Sequence, residues 1–313
     1  RDPSRPAQIA YRYALAGPAE IDRALQVAVE AQAGWQQWRV EERKALLVQV
    51  AEKLAGRRAE LIGAAMLDGS KTVEQADVEV SEAIDFANYY ARSFAEMVAD
   101  LADCTFTPFG TVLITPPWNF PIAIPCGGML AALMAGNTVI IKPAPETVLV
   151  AWFLVKAMWD AGVPKNVLQF VPTTDDEVGQ SLVTADRVDA VILTGAYETA
   201  RLFLSWKPEL RLLAETSGKN SMIITGLADH DQAIKDLVQS AFGHNGQKCS
   251  AASLAVLEAE VYDNPDFRRQ LQDAVSSLPV GSAWAPASKI TPLIREPGEA
   301  LARGLTTLEP GEE

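Results

Sequence analysis

Residues 111–141 read TVLITPPWNFPIAIPCGGMLAALMAGNTVII. The stretch opens with Thr111–Ile114, a short apolar run, and closes with another, Thr138–Ile141. Between them Pro125–Ala135, rich in Ala, Leu and Met, reads as a helix. Apolar strands separated by a helix make a βαβ unit, whose parallel strands are buried on both faces. The alternation continues downstream. A helix is expected over Glu146–Ala161 and strands over Val167–Val171 and Val188–Leu193, with a short helix near Glu177–Thr184 between them. A helix over Thr199–Ser205 and a strand over Leu210–Ala214 follow. The fold class is α/β with an open parallel sheet.

Upstream of Thr111 the period is helical. Ile21, Leu25, Ala28, Trp35 and Trp38 fall mostly on one face, and Leu46, Leu47, Val50 and Leu54 repeat the pattern. A third helix holds Leu61, Ile62, Ala65 and Met66 and stops near Gly69. A fourth runs from about Thr72 to Met97 with Val80, Ile84, Ala87 and Ala91 inward. These apolar residues are core. A second unit begins near Glu215, with a strand at Ser221–Thr225, a helix at Asp229–Phe242, a strand at Ala252–Leu257 and a helix near Asp263–Ser277. Leu278–Glu313 reads as a loop-rich edge. Two domains are expected, residues 1–214 and 215–313.

Composition narrows the function classes. The 313 residues carry a net charge of −13, which repels phosphate backbones and anionic membranes, so no nucleic-acid or membrane partner is expected. Cys104, Cys126 and Cys249 form no paired framework, and the two histidines stand at no metal-ligand spacing, so no metal is expected. No apolar run is long enough to span a bilayer. A reduced, cytoplasmic protein is the expectation.

Five segments carry chemistry. No glycine cradle follows the first strand. Instead Thr115-Pro116-Pro117-Trp118-Asn119-Phe120-Pro121 makes a stiff turn at a strand's carboxyl end, where open α/β sheets place ligands. Asn119 is there either a ligand-facing amide or a cap for the next helix. Lys142 ends a buried strand before Pro143 and is either a nucleotide-ribose donor or a surface lysine. Thr194-Gly195 enters a helix, either admitting a phosphate to its N-terminus or simply turning the chain. Glu215 ends a strand beside Thr216-Ser217-Gly218 and suits a general base. Cys249, in Asn245-Gly246-Gln247-Lys248-Cys249-Ser250, is either an accessible nucleophile or an inert thiol; Cys104 and Cys126 are expected to be inert and buried.

Together these segments resemble the aldehyde dehydrogenase superfamily of NAD(P)-dependent enzymes. The matches are Pro117-Trp118-Asn119-Phe120-Pro121, Lys142-Pro143-Ala144, Thr194-Gly195, Glu215 with Gly218-Lys219, and Gly246-Gln247-Lys248-Cys249, in the family's order. The resemblance covers nearly the whole chain. The run Gly243–Ala251 looks most like the 1-pyrroline-5-carboxylate dehydrogenase branch, which includes bifunctional proline-utilisation proteins.

The resemblance implies a cofactor domain with N-terminal helices, an α/β catalytic domain and a small oligomerisation flap. Cys249 matches the nucleophile, Glu215 the general base and Asn119 the oxyanion-hole side chain. Lys142 matches the residue that holds the adenosine ribose, and Thr194 and Gly195 lie near the pyrophosphate. Trp118 and Phe120 are either packing residues or, in the resemblance, a cofactor-side residue and a wall of the aldehyde site respectively. Glu146 follows Pro145, where many relatives carry a Glu that separates NAD from NADP. Ser250 matches a residue that binds the substrate α-carboxylate. The implied cofactor is NAD, with NADP as the alternative. The implied substrate is L-glutamate γ-semialdehyde, oxidised to L-glutamate; other semialdehydes, aliphatic aldehydes or a non-catalytic truncated relative are the alternatives. A homo-oligomer is implied, with fusion to a proline dehydrogenase domain in bifunctional members. Family members continue beyond the nucleophile with a Glu-x-Phe-Gly-Pro segment that is not found before Glu313, so a truncated catalytic domain is expected.

Overall fold

The computed structural model describes residues 1–311. Four helices come first: α1 (Pro18–Trp35), α2 (Val40–Gly56), α3 (Arg58–Gly69) and α4 (Val73–Asp100). Each buries one stripe. In α1 the inward residues Ile21, Ala24, Leu25, Ala28 and Trp35 follow helical spacing. In α4 the stripe is mostly alanine (Ala76, Ala83, Ala87 and Ala91), which lets the helix lie close against α2. Thr72 caps α4: its Oγ1 accepts Gln75 N–H at 3.3 Å, while Gln75 Oε1 accepts Thr72 N–H at 3.0 Å.

The sheet follows as β1 (Thr111–Thr115), α5 (Ala123–Met134), β2 (Thr138–Ile141), α6 (Val148–Asp160), β3 (Leu168–Phe170), α7 (Glu177–Val183), β4 (Ala190–Gly195), α8 (Tyr197–Trp206) and β5 (Leu212–Thr216). The five strands are parallel in the order β3-β2-β1-β4-β5. Alternate residues face opposite sides, and both sides are covered. Val112, Ile114, Val139 and Ile141 join the core under α2, α4, α5 and α6. Leu113, Ile140, Val191 and Leu193 join a second core with α1 and α8 residues. This is the parallel α/β sheet expected from the sequence. The last strand runs two residues further than expected, so Glu215 is paired within the sheet opposite Thr194.

A smaller unit follows: β6 (Asn220–Ile224), α9 (His230–Phe242), β7 (Ala252–Leu257), α10 (Ala259–Tyr262) and α11 (Pro265–Ser276). β6 and β7 pair in parallel, and Ile224, Ile234, Leu237, Val261 and Phe267 make its core. The expected loop after Leu278 instead contains α12 (Glu299–Thr306), an eight-residue helix with no buried residue, whose Leu301 and Leu305 share one exposed face. Among the described residues no helix is long and apolar enough to cross a membrane.

Two buried features shape the loops at the sheet's edge. The first is an ion pair inside the core. Lys71 Nζ lies 2.7 Å from Glu79 Oε1, with side chains 1% and 0% exposed. Glu79 Oε2 also accepts the Ile122 N–H at 2.9 Å, at the N-terminus of α5, where a negative charge is favoured. The Lys71 ammonium lies 5.3 Å from the Phe120 ring centroid. Burial pushes the Glu79 carboxyl up and the Lys71 ammonium down, and each draws its partner back toward the charged form.

The second is the turn between α9 and β7. His244, Asn245 and Gly246 have φ of 50°, 58° and 71°. Glycine adopts such angles freely and asparagine tolerates them; histidine rarely does. The turn is held from outside. Asn245 Oδ1 accepts Thr291 N–H at 3.1 Å and Gln247 Oε1 accepts Ile294 N–H at 3.2 Å. The His244 ring is buried with neither nitrogen bonded. Burial, reinforced by the charges of Lys71 and Lys248, pulls its pKa down to about 2.

Breaking the buried pair strands a charge. Glu79→Ala should lower the unfolding free energy by about 3–5 kcal/mol, read from urea titration. A loss under about 1 kcal/mol would mean the pair does not hold this region. His244 predicts a pH dependence with a definite sign. Below its ordinary value of 6.5 the unfolded chain binds a proton that the fold refuses. Stability attributable to His244 therefore falls as the pH drops through that value, by at most about 1.4 kcal/mol per pH unit. Urea titrations from neutral to mildly acidic pH should show a shallower decline for His244→Phe than for the wild type. Equal slopes would contradict the assignment.

Candidate active site

β1 lies in the middle of the sheet, and strands are added first on one side of it and then on the other. The loops leaving β1 and β4 therefore diverge, which opens a crevice at the strands' carboxyl ends. The cleft there has a volume of about 360 Å³. Five residues singled out in the sequence meet on its walls: Trp118 after β1, Lys142 and Glu146 after β2, and Thr194 and Gly195 at the end of β4.

The cleft is polar in a particular way. Lys142 is 11% exposed and its ammonium pairs with Asp175. Glu146 is 15% exposed and pairs with Arg295 at 3.1 Å. The N-cap residue of α8 is Ala196, which offers no side-chain cap, and Ala196 and Thr199 line the cleft, so the N-terminus of α8 borders it. Gly179 closes α7 against Lys142: a Cβ there would meet Thr174 O at 2.5 Å and Lys142 Cε at 3.4 Å. An ammonium and carboxylates suit ribose hydroxyls, and an uncapped helix N-terminus suits a pyrophosphate. The residues present fit a nicotinamide dinucleotide. Gly195 itself is not crowded, since a Cβ there would make only an ordinary 3.5 Å contact with Leu193.

The Pro-rich turn separates this cleft from a second cavity. Trp118 borders the cleft, whereas Phe120 borders a cavity of about 810 Å³ lined also by Lys71, Lys248 and α9 residues Ile234, Val238 and Phe242. Asn119, between Trp118 and Phe120 in sequence, is partly buried, with its amide unbonded among the described residues. Lys71 lies within range of both the Phe120 ring and the charge of Lys248, which sets the loop carrying Cys249 beside the Asn119 turn.

Cys249 is exposed, and among the described residues its thiol has no hydrogen-bond partner. Ser250 is exposed and borders a third cavity of about 300 Å³ with Asp236, Ser240 and Lys248. Glu215 is exposed on β5, with its carboxylate unpartnered among the described residues. No hydrogen bond among the described residues links Asn119, Glu215 and Cys249 to one another. The other thiols differ. Cys126 is buried, and burial pushes its pKa well up, as an inert thiol requires. Cys104 is exposed, which corrects the expectation that it is buried. It lies in the coil that leaves the exposed last turn of α4, beyond reach of the core.

Several site residues were not singled out from the sequence. Asp175, Gly179 and Arg295 reach Lys142 and Glu146 only through the fold. Lys71 and Glu79 did leave a signal: a carboxylate inside the apolar stripe of α4 requires a partner. Among the described residues no cluster of His, Cys, Asp or Glu is placed to hold a metal ion.

Comparison with known proteins places the chain in a family. The profile described as "Aldehyde dehydrogenase family" matches residues 1–305. A 1-pyrroline-5-carboxylate dehydrogenase of Staphylococcus haemolyticus is 34% identical over 279 residues, covering 84% of this chain and 54% of that protein. The bifunctional protein PutA of Escherichia coli is 35% identical over 317 residues, covering 98% of this chain and 24% of that protein. Proline Utilization A from Corynebacterium freiburgense superposes with a TM-score of 0.87 at 43% identity, covering 97% of this chain and 31% of that one. A 1-pyrroline-5-carboxylate dehydrogenase from Thermus with bound NAD gives a TM-score of 0.87 at 32% identity, covering 94% of this chain and 60% of that one. The chain thus spans about half the length of the curated dehydrogenases it matches. With a family profile over nearly its whole length and relatives that share its sheet, its helices and its order of segments, the chain belongs to the aldehyde dehydrogenase family.

Proposed function

We propose that the protein is an NAD-dependent dehydrogenase that oxidises L-glutamate γ-semialdehyde to L-glutamate, with Cys249 as nucleophile. The observation that carries this reading is the turn around Asn119. It has Trp118 on the cleft that fits a dinucleotide and Phe120 on a separate cavity, with the Cys249 loop alongside. Hydride passes only between carbons in direct contact, so in this reading the aldehyde and the nicotinamide meet beside this turn. In this reading residues 1–214 hold the cofactor and residues 215–313 carry the nucleophile.

The chemistry follows from the carbonyl. An sp² aldehyde carbon does not release hydride readily. The Cys249 thiolate attacks it, a C–S bond forms, and the oxygen becomes an oxyanion. The Asn119 amide and the Cys249 N–H donate to that oxygen; removal of one such donor costs about 3 kcal/mol. Collapse of the tetrahedral species restores C=O, expels hydride and leaves a thioester on Cys249. When bound in the cleft, the nicotinamide supplies the hydride acceptor. Lys142 and Glu146 bind the ribose hydroxyls, while Thr194, Gly195 and the first turn of α8 receive the pyrophosphate. Glu215 then removes a proton from a water that attacks the thioester carbon; the C–S bond breaks and the thiolate returns.

The choice of aldehyde rests on the loop chemistry and on the relatives' names. Ser250 offers a hydroxyl immediately after the nucleophile, and Lys248 borders both the Phe120 cavity and the Ser250 pocket. A carboxylate on the substrate suits those donors. The dehydrogenase relatives are named for 1-pyrroline-5-carboxylate, the cyclic form of this semialdehyde.

Cys249→Ala should lower kcat by at least about 10³-fold while NAD affinity, measured by calorimetry, stays within about twofold. Retained turnover would remove the mechanism. For specificity, Ser250→Ala should reduce the kcat/KM preference for glutamate semialdehyde over propanal by about tenfold or more, because the α-carboxylate loses a donor. A wild-type preference for propanal, or an unchanged ratio in Ser250→Ala, would sink the substrate assignment and leave the dehydrogenase reading standing.

A further inference from the structure

We infer that Asn220 is the positioning residue for the nucleophile loop: its single amide ties the carbonyls on either side of Ser250 and so fixes how Cys249 is presented. The inference rests on Cys249 being the nucleophile. Asn220 opens β6 at the end of the segment that begins with Glu215. Its Nδ2 donates to Cys249 O at 2.5 Å and to Ala251 O at 3.1 Å. A carboxamide has two N–H hydrogens, and both are used here. Since both partners are carbonyls, the nitrogen must face them, which determines the amide's orientation.

The backbone around this contact is irregular. Asn220 lies opposite Ala252, but Ser221 lies opposite Leu254, so Ser253 is an extra residue in β7. Ser253 Oγ donates to the Asn220 carbonyl at 3.3 Å. Such a bulge re-aims the chain, and bulges gather near active sites. From the other side, Ser240 Oγ accepts Ala252 N–H at 3.2 Å. Residues 249–252 are thereby pinned at their carbonyls by Asn220 and at an N–H by Ser240. No other group among the described residues bonds the Cys249 carbonyl.

The Cys249 C=O and the Ser250 N–H share one rigid peptide plane. Holding that carbonyl sets the backbone from which the thiol and the Ser250 side chain both project. The Cys249 bond is exposed, so water replaces it when the amide is removed, and global stability changes little. What is lost is the fixed direction of the loop. A displacement near 1 Å in a reacting group costs up to about 10²-fold in rate.

The test uses Asn220→Ala and Asn220→Asp, which remove both donors, and Asn220→Ser, which keeps one. In the full-length enzyme the first two should lower kcat by about 10- to 100-fold with the KM for NAD within about twofold, and Asn220→Ser should recover part of the loss. The rate at which iodoacetamide labels Cys249, followed on its own peptide to separate it from exposed Cys104, should change in the same order. Unchanged kcat and labelling in Asn220→Ala would overturn the inference. So would a fall in kcat that merely tracks a lower Tm and a raised KM for NAD in all three variants, since that describes a structural residue. A dead Cys249→Ala beside a normal Asn220→Ala defeats this inference alone; an active Cys249→Ala defeats the nucleophile assignment beneath it.

Discussion

Glu79 sits in the core stripe of α4, pairs with Lys71, and accepts the Ile122 N–H at the start of α5. The turn from Pro116 to Pro121 lies between β1 and α5, so its position is set at one end by a buried strand and at the other by a buried carboxylate. Prolines stiffen what lies between. Asn119 lies within that stiff turn, and among the described residues its amide has no hydrogen-bond partner. The same lysine lies near Phe120 and within range of Lys248 and His244. One buried pair thus links the N-terminal helices, the Asn119 turn and the Cys249 loop. A charge pair inside a core costs several kcal/mol to desolvate and needs close geometry to repay it; here that geometry coincides with the place where two cavities must stay in register.

The absence of a glycine cradle after β1 has a physical reading. A glycine loop brings backbone close to a pyrophosphate at the first strand. Here the uncapped N-terminus of α8, after β4, is the electropositive end that borders the cleft. That frees the β1 turn to carry Asn119, flanked in sequence by the residues that border the two cavities. The Cys249 loop follows a complementary logic. Its entry bends through three successive positive φ angles, and side chains of Asn245 and Gln247 replace strand partners by bonding to Thr291 and Ile294.

Most of the fold was legible because buried parallel strands are continuous apolar runs, and β1, β2 and β4 are of that kind. β5 was harder to delimit. It is an edge strand and mostly exposed, so burial leaves no mark on Glu215 and Thr216. α12 buries nothing and is only two turns long, so its Leu301 and Leu305 pair was too short a signal among the surrounding Pro and Gly residues. At the candidate site, Lys142, Thr194 and Gly195 could be picked out because each stands at a strand end or a turn, whereas Trp118 and Glu146 came only with the family resemblance. Their partners could not: Asp175 is 33 positions from Lys142, and Arg295 meets Glu146 through tertiary structure alone. Asn220 was visible as a residue of the Glu215–Asn220 segment, but its two carbonyl partners are 29 and 31 positions away. Cys104 was misread because a thiol's burial depends on what packs around it, and the coil after α4 packs against little.

The central claim is that an acyl group passes through Cys249 and leaves only when Glu215 activates water. The direct measurement is intact-peptide mass spectrometry of Glu215→Ala full-length enzyme, quenched in acid after mixing with NAD and glutamate semialdehyde. A glutamyl adduct is expected on the peptide that contains Cys249, formed only when NAD is present. An adduct on Cys104 instead, or none on Cys249 while hydride is still transferred, would contradict the claim.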